Sequence, residues 1–416
     1  MTAIPHSEKL SKTAQKARYF FILGNNPALS RAEIFSLLAR RGINYHLDSA
    51  DSDVLTIDLL NPSPAEEILS LLGGTIKIGR VITETSFTRI EEALGLPSIM
   101  SELSSHQGKI VFGLSVYGGR GRVPPQEIDR MGITLKRLLK KPGQAVRYIK
   151  SRSNPLSSVI IAKNKLIEKG GEIVLLLSQE DRVTLGLTLA VQDFEDYSRR
   201  DYGRPSRNMK QGMLPPKLAK MMVNLSEAKP EDSLVDPFCG SGTILQEAWL
   251  LGYKNLYGSD NNPQAIQDSK TNLAWLKEQY HLSNIRLSLK IQDAKTLSQA
   301  LPEKSVGAIV TEPFLGPATL PREPERLENA RKQILNLYSE TFKNFSRILK
   351  PESRIVIIVP RWRFGKNDIV FNLHKIIQQT GFSLVSFPGW VGRQPFEYQR
   401  PNQNVIREIF VLKKNS

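Results

Sequence analysis

The chain has 416 residues, 40% of them hydrophobic and 24% charged, which is typical of a globular protein with two or three domains and excludes a largely disordered one. Its 57 Lys and Arg residues outnumber 41 Asp and Glu residues, and the net charge of +16 favours a polyanionic partner, nucleic acid before an acidic membrane surface. One Cys, dispersed His residues and the lack of a signal peptide or of an apolar run of about 20 residues predict a cytoplasmic protein with no disulfide, metal centre or membrane span.

The N-terminal region begins with a polar stretch, residues 1–17, that is predicted to be a flexible tail. Residues 18–100 alternate short strands and helices, as in a small α+β unit of the split βαβ type. The predicted strands are 19–24, 54–59 and 76–82, and one predicted helix is 65–72. Ser30 with Glu33 three residues later has the spacing of a capping box, which predicts that the first helix begins at Ser30.

A second α+β region, residues 101–194, is strongly basic in its middle. Ten Lys and Arg residues and one acidic residue lie between positions 136 and 169. This imbalance favours contact with nucleic acid over a merely solvated basic surface. The candidate RNA-binding residues are Lys136, Arg137, Lys140, Lys141, Arg147, Lys150 and Arg152.

The pattern changes after a stretch rich in Arg, Gly and Pro, residues 195–213, which is predicted to be a basic linker with Arg204 as a further RNA-binding candidate. From residue 214 to 416 strands alternate with helices, and this order predicts an α/β fold with a doubly wound, mainly parallel sheet. The predicted strands are 234–236, 256–260, 286–293, 306–312, 354–360, 382–387 and 405–412.

A glycine-bearing turn follows the first of these strands and reads Asp236-Pro237-Phe238-Cys239-Gly240-Ser241-Gly242-Thr243. Glycines there allow close approach of a ligand, at the sheet edge where α/β folds bind ligands. The turn has neither Gly-Lys-Ser/Thr nor Gly-x-Gly-x-x-Gly, which excludes a phosphate-binding loop and a dinucleotide fingerprint. Its candidate cofactor-binding residues are Asp236, Phe238, Gly240, Gly242 and Thr243.

Acidic residues also end the next two strands. Asp260, followed by Asn261, is placed to accept the hydroxyls of a ribose, and Asp293 to accept an adenine amino group. Each carboxylate alone is typical of a turn or helix cap. Together, beyond a glycine turn, they indicate a cofactor that contains a nucleoside.

The fourth strand ends in Glu312-Pro313-Phe314, which we predict to be catalytic. An exocyclic amine of a base is a poor nucleophile because its lone pair is delocalised into the ring. Hydrogen bonds to a carboxylate and a backbone carbonyl would localise that pair, and an aromatic side chain can stack on the base. Cys239 is the alternative, as a nucleophile for carbon-5 methylation of a pyrimidine, but its place inside the cofactor turn favours a packing role.

These segments resemble the motifs of class I S-adenosylmethionine-dependent amino-methyltransferases, Asp-Pro-Phe-x-Gly-Ser-Gly-Thr and Asp/Asn-Pro-Pro-Tyr/Phe. More narrowly, residues 18–414 resemble the THUMP-containing tRNA guanosine-10 N2-methyltransferase family. That resemblance lies in the opening 21–27, in the stretch 143–158, in the lead-in 200–219 and in the closing segment 398–409. The family has Asp-Pro-Pro-Tyr where this chain has Glu-Pro-Phe-Leu.

The resemblance implies a ferredoxin-like domain at 18–100, a THUMP-like RNA-binding domain at 101–194 and a Rossmann-like methyltransferase domain at 214–416. It implies S-adenosylmethionine as the cofactor, tRNA as the partner and methylation of the guanine N2. Three alternatives stay open. They are another exocyclic amine in rRNA or DNA, a catalytically silent RNA-binding homologue, and dependence on an activating partner protein.

Overall fold

The computed structural model describes residues 16–60, 64–105, 108–118, 123–151, 153–178, 181–207, 213–317, 319–321, 323–364, 367–399 and 403–416. The predicted tail lies outside these residues except for positions 16 and 17, which belong to the first strand. In chain order the N-terminal half contains β1 (Lys16–Leu23), α1 (Pro27–Arg41), β2 (Tyr45–Ala50), β3 (Val54–Leu60), α2 (Ala65–Ser70), β4 (Thr75–Ser86), α3 (Ile90–Leu94), α4 (Pro97–Ser104), β5 (Ile110–Gly118), α5 (Pro125–Leu139), β6 (Val146–Tyr148), α6 (Ser158–Lys163), α7 (Leu166–Lys169), β7 (Gly170–Leu177) and β8 (Arg182–Val191).

One eight-stranded sheet runs through this half in the order β2-β3-β1-β4-β8-β7-β5-β6. Antiparallel pairing of the two central strands, β4 and β8, joins the two halves of this sheet, from Lys77 opposite Val191 to Ser86 opposite Arg182. The regions predicted as separate domains therefore share one continuous sheet, and their division near residue 100 stays a prediction. Strand β2 was not predicted, because its partly exposed residues lack a clear alternation.

The first helix does not begin where the capping box predicts. Helix α1 begins at Pro27 with Asn26 at the N-cap, so Ser30 and Glu33 lie inside it. Glu33 is fully buried and accepts hydrogen bonds from the N–H groups of Gly73 (2.7 Å) and Gly74 (2.8 Å). The prediction was wrong because these two residues serve tertiary contacts rather than the end of their own helix.

The linker prediction also needs correction, since residues 194–202 form a helix, α8 (Phe194–Tyr202). Its Arg200 is buried, with Nε 2.8 Å from Glu247 Oε1 and the guanidinium over the Tyr197 ring at 4.4 Å. Arg200 therefore pairs inside the protein, and the first part of the stretch is a helix rather than a solvated connection. Residues 208–212 of the predicted linker lie outside the described residues.

The C-terminal half contains α9 (Pro216–Leu225), β9 (Ser233–Asp236), α10 (Thr243–Leu250), β10 (Asn255–Asp260), α11 (Pro263–Gln279), β11 (Arg286–Ile291), β12 (Val306–Thr311), α12 (Pro324–Ile348), β13 (Leu349–Phe364), β14 (Asn367–Val370), α13 (His374–Gln379), β15 (Phe382–Leu384), β16 (Phe396–Tyr398) and β17 (Val405–Lys414). Its sheet has the order β11-β10-β9-β12-β13-β17-β15, with β14 beside β13 and β16 beside β17. The first five strands are parallel, and β17 runs antiparallel to β13. The predicted doubly wound sheet is confirmed for the five parallel strands, but the sheet as a whole is mixed rather than mainly parallel, because β14, β15, β16 and β17 pair antiparallel.

Apolar residues of the central strands point alternately to the two faces of this sheet. Ala308 and Val310 pack in one hydrophobic cluster with residues of α9, α10 and α11, and Ile309 packs in the other with residues of α12 and α13. A strand buried on both faces needs such an unbroken apolar run, which is why β12 reads Val-Gly-Ala-Ile-Val-Thr. The chain order of the strands reverses between β9 and β12, and ligands of α/β folds bind at such a point.

Side chains of helix α9 form hydrogen bonds that connect the two halves of the protein. Asn224 Nδ2 donates to Glu33 Oε1 (2.8 Å) and to the carbonyl of Leu71 (2.7 Å). Lys220 Nζ donates to the carbonyl of Ser70 at 2.9 Å. These buried polar contacts have fixed geometry, so they orient the N-terminal sheet relative to the C-terminal sheet.

Candidate active site

A cleft of about 640 Å³ opens at the carboxyl ends of β9, β10, β11 and β12. Most of the predicted site residues line it together, although they come from four separate strand ends. These residues are Asp236, Phe238, Gly240, Thr243, Asp260, Asn261, Asp293, Glu312, Pro313 and Phe314. Gly242 is the predicted cofactor-binding residue that does not line the cleft.

The glycine-bearing turn depends on backbone angles that favour glycine. Gly240 has φ +52° and Gly242 has φ +82°. A Cβ on Gly240 would meet no atom within 4 Å, whereas one on Gly242 would lie 2.9 Å from Ser269 Oγ. Gly240 therefore leaves open space at the turn. Gly242 is the N-cap of α10 and allows the turn to lie close to Ser269.

Cys239 is a packing residue in this turn. The residue is buried, and its Sγ lies 3.7 Å from Ser269 Oγ. Burial raises the pKa of the Cys239 thiol well above its usual value. A thiol that resists ionisation is a poor nucleophile, so this environment does not suit carbon-5 chemistry.

Asp236 ties two central strands together. It is 1% exposed, and its Oδ1 accepts hydrogen bonds from Thr311 Oγ1 (2.7 Å) and from the N–H of Phe238 (3.3 Å). Burial raises the pKa of Asp236 to about 7, against the two hydrogen bonds, which lower it. The side chain thus fixes the end of β9 against the end of β12.

The Asp260 carboxylate lies at the end of β10 and lines the cleft. Its Oδ2 accepts from the N–H of Gly240 (3.1 Å) and its Oδ1 from the N–H of Asn262 (2.9 Å). A carboxylate oxygen has two lone pairs, so each oxygen keeps acceptor capacity for a ligand.

Asp293 has a similar place after β11. Its Oδ1 accepts from the N–H of Lys295 (2.9 Å), and its Oδ2 lies 3.3 Å from Lys295 Nζ. The side chain caps a 3-10 turn, Ala294–Gln299, and also lines the cleft.

Glu312 meets a residue that the sequence did not single out. Arg407 Nε lies 2.6 Å from Glu312 Oε1, and both side chains line the cleft. Arg407 belongs to β17, 95 residues further along the chain, so no local spacing connects it with Glu312.

The rest of the predicted catalytic segment is positioned by its backbone. Pro313 is buried, whereas Phe314 is 58% exposed and its carbonyl accepts from Tyr338 Oη at 3.2 Å. The carbonyl of Leu315 accepts from Trp362 Nε1 at 2.8 Å. An exposed ring on a fixed backbone can stack on a flat ligand without first being rearranged.

Arg204 is a correction to the predicted RNA-binding residues. It is 2% exposed, and its Nη1 donates to Thr243 Oγ1 at 2.6 Å. A buried guanidinium cannot contact RNA phosphates, so that prediction was wrong. The residue instead supports the first turn of α10 beneath the cleft.

The other basic candidates lie near the edge of the N-terminal sheet, on or next to α5 and the edge strand β6. Lys150 Nζ forms an ion pair of 2.5 Å with Asp129 Oδ2. The exposed candidates are Lys136, Arg137, Lys140, Lys141, Arg147 and Lys150. Arg152 lies outside the described residues, so its contacts stay a prediction.

Among the described residues, no group of three or more His, Cys, Asp or Glu side chains is arranged to hold a metal ion. None of the helices in the described part of the chain combines the length and the apolar character that crossing a membrane requires.

The overall fold has a counterpart among solved structures. The crystal structure of TrmN from Thermus thermophilus matches 95% of this chain and 99% of its own, with a TM-score of 0.54 and 19% identity. At that identity the match shows the fold alone, an α/β region with a mixed sheet preceded by a second α/β region.

Sequence comparison identifies the family. Residues 204–366 match the UPF0020 family, described as an RMKL-like methyltransferase domain. A tRNA (guanine(10)-N2)-dimethyltransferase of Pyrococcus abyssi is 29% identical over 215 residues, which are 51% of this chain and 52% of that protein. A probable tRNA (guanine(10)-N2)-dimethyltransferase of Methanothermococcus thermolithotrophicus is 34% identical over 148 residues, 35% of this chain and 80% of that protein.

The chain spans about two fifths to one half of the length of the first three curated relatives that it matches. The segment matched by the family model, residues 204–366, includes the ends of β9, β10, β11 and β12, and all of these relatives carry names of one enzyme class. The chain therefore belongs to the tRNA guanine-N2 methyltransferase family.

Proposed function

We propose that the protein transfers methyl groups from S-adenosylmethionine to the exocyclic N2 of a guanosine in tRNA, at position 10 by relation to the family. The observation that carries this proposal is the cleft itself. There, Glu312 and the exposed Phe314 face the same space as the glycine-bearing turn and the carboxylates that follow it. The family relationship supports the choice of tRNA and of guanine.

The residues present fit an adenosine-type cofactor. Gly240 leaves open space, and Asp260 keeps two acceptor oxygens for ribose hydroxyls. Asp293 offers an acceptor for an adenine amino group, and Asn261 and Phe238 line the same cleft. When bound there, S-adenosylmethionine supplies an electrophilic methyl group on a sulfonium.

At the other end of the cleft, this chain's own residues would prepare the amine. Glu312 accepts a hydrogen bond from N2 and draws the lone pair out of the ring, while Phe314 holds the base by stacking. These contacts would direct the N2 lone pair toward the methyl group that the cofactor supplies, so that the new N–C bond would form while sulfur keeps the electrons of the bond it loses. One N2 proton then passes to the Glu312 carboxylate and on to solvent.

The N-terminal half would bind the RNA. The proposal takes residues 18–100 as a ferredoxin-like region and 101–194 as a THUMP-like RNA-binding region. The exposed cations on and near α5 and β6 supply the charge that phosphates require. Whether an activating partner protein also binds is a separate prediction.

The experiment is incubation of the protein with labelled S-adenosylmethionine and unmodified tRNA, followed by digestion and mass analysis of the nucleosides. We expect N2-methylated guanosine. Label in another base would refute the choice of guanine, and preferential labelling of rRNA or DNA in competition would refute the choice of tRNA. Cofactor binding without turnover on any of these would favour the silent homologue.

A further inference from the structure

Two side chains of opposite charge stand together at the acceptor end of the cleft. Arg407 Nε and Glu312 Oε1 are 2.6 Å apart, and the side chains are only 6% and 15% exposed. Arg407 Nη1 also lies 3.3 Å from Gln403 Oε1, so a second contact orients the guanidinium plane. Hydrogen bonds made by charged groups that are largely buried are stronger than those made in water.

Arg407 is the cation at this end of the cleft. Of the described side chains that line the cleft, the cationic ones are Arg407 and Lys295. Lys295 pairs with Asp293 at 3.3 Å, on the side where the adenine is proposed to bind. A base that enters beside Phe314 therefore meets one carboxylate and one guanidinium.

This pair has the hydrogen-bonding pattern that complements guanine. The Watson–Crick edge of guanine presents an acceptor, O6, followed by two donors, N1–H and the N2 amine. Arg407 followed by the two oxygens of Glu312 presents a donor followed by two acceptors. Adenine and cytosine present an acceptor ring nitrogen beside their amine, and that nitrogen would face a carboxylate oxygen and be repelled.

We propose that Arg407 and Glu312 together select guanine, with Arg407 donating to O6, Glu312 Oε1 accepting from N1–H and Oε2 accepting from the N2 amine. The inference rests on the proposed function and adds the reason why the site accepts guanine. It makes Arg407 a specificity-determining residue and not only a support for the carboxylate.

The test uses tRNA transcripts that carry an analogue at the one guanosine that the wild-type protein methylates. 2-Aminopurine keeps the N2 amine but lacks O6 and N1–H, and 6-thioguanosine keeps N1–H but has a weak sulfur acceptor in place of O6. We expect kcat/KM to favour guanosine over 2-aminopurine by roughly ten- to a hundredfold, and over 6-thioguanosine by a smaller factor. Equal rates on all three transcripts would overturn the proposal. Absence of methylation on the guanosine transcript would instead refute the proposed function.

Variants of Arg407 distinguish a role in selecting guanine from a role in positioning Glu312. In Arg407→Met the preference for guanosine over 6-thioguanosine should disappear, because only guanosine has a strong O6 contact to lose. The matched control is Lys295→Met, which removes the other cleft cation and should keep the wild-type preference. If Arg407→Met slows both substrates by the same factor, Arg407 only positions Glu312 and the proposal is wrong. If thermal unfolding shows that Arg407→Met is not folded, Arg407→Lys takes its place in the comparison. The preference of the wild-type protein for guanosine over the two analogues tests the proposal in either case.

Discussion

Replacing Asp260 with alanine should weaken cofactor binding far more than it weakens the fold. The carboxylate joins the glycine-bearing turn to the end of β10 through the N–H groups of Gly240 (3.1 Å) and Asn262 (2.9 Å). We propose that the same two oxygens also accept the hydroxyls of the cofactor ribose. The variant therefore loses two intramolecular contacts and two contacts to the ligand.

The size of the effect follows from these contacts. A hydrogen bond to a charged group contributes about 1.5–3 kcal/mol, but Asp260 is only half-buried and water replaces part of the loss. We therefore expect binding to weaken by about 2–4 kcal/mol for the two ribose contacts together, which is roughly 30- to 1,000-fold in Kd. The loss of the two backbone contacts should lower the free energy of unfolding by only about 1–2 kcal/mol.

Isothermal titration with S-adenosylhomocysteine measures the affinity, and urea unfolding measures the stability. The matched control is Asp268→Ala, which removes a carboxylate that lines the same cleft but whose hydrogen bond is to the side chain of Gln264 (2.9 Å). Its effect on binding should stay below about 1 kcal/mol. Wild-type affinity in Asp260→Ala would refute the ribose contact, and equal losses in both variants would show that only the total negative charge matters.

Three further predictions concern turnover, RNA binding and pH. Glu312→Ala should lower kcat by about 10²–10⁴-fold while the Kd for S-adenosylhomocysteine changes little, and unchanged turnover in single-turnover assays would remove Glu312 from the mechanism. Replacing four exposed cations by glutamine should weaken tRNA binding and flatten the slope of log K against log salt by up to roughly 3, whereas an unchanged slope would place the RNA elsewhere. Those cations are Lys136, Arg137, Lys140 and Lys141. Because burial raises the pKa of Asp236 from 3.8 to about 7, its contribution to stability is fully present below about pH 4 and is lost as the pH rises through 7. Asp236→Asn keeps an acceptor for Thr311 and Phe238 but does not titrate, so urea unfolding should find wild type losing stability relative to the variant between pH 4 and 7, and a constant difference would contradict this.

The meeting of the glycine-bearing turn and the acidic strand ends in one cleft could be predicted from the sequence because its determinants are local. A strand end, a glycine-bearing turn and the carboxylate at the end of the next strand recur at short spacing, and parallel strands bring their carboxyl ends to one edge. The proximity of Asp236, Gly240 and Asp260 can therefore be predicted without knowing any distant contact. The apolar run at 306–312 likewise predicted a strand, and the structure has β12 there.

The errors have a different physical origin. Ser30 and Glu33 have the spacing of a cap, yet Glu33 binds the backbone of a turn 40 residues away. Arg204 looked like part of a solvated basic stretch, but it is buried against Thr243. Arg407 was missed because antiparallel pairing of β17 with β13 carries it to the cleft from far along the chain. In each case a long-range polar contact outweighs the local pattern.

On the proposed function, the contacts of α9 bear on which guanine the protein reaches. Asn224 and Lys220 connect α9 to the first two helices, and one continuous sheet carries both those helices and the basic edge. The proposed RNA-binding surface and the cleft therefore lie at a set distance. On the proposed function, an RNA held at one end presents to the cleft whichever nucleotide lies that far along its own fold. The fixed distance in the protein, together with the three-dimensional shape of tRNA, would then determine the position that is methylated. The bases that flank the target would matter less.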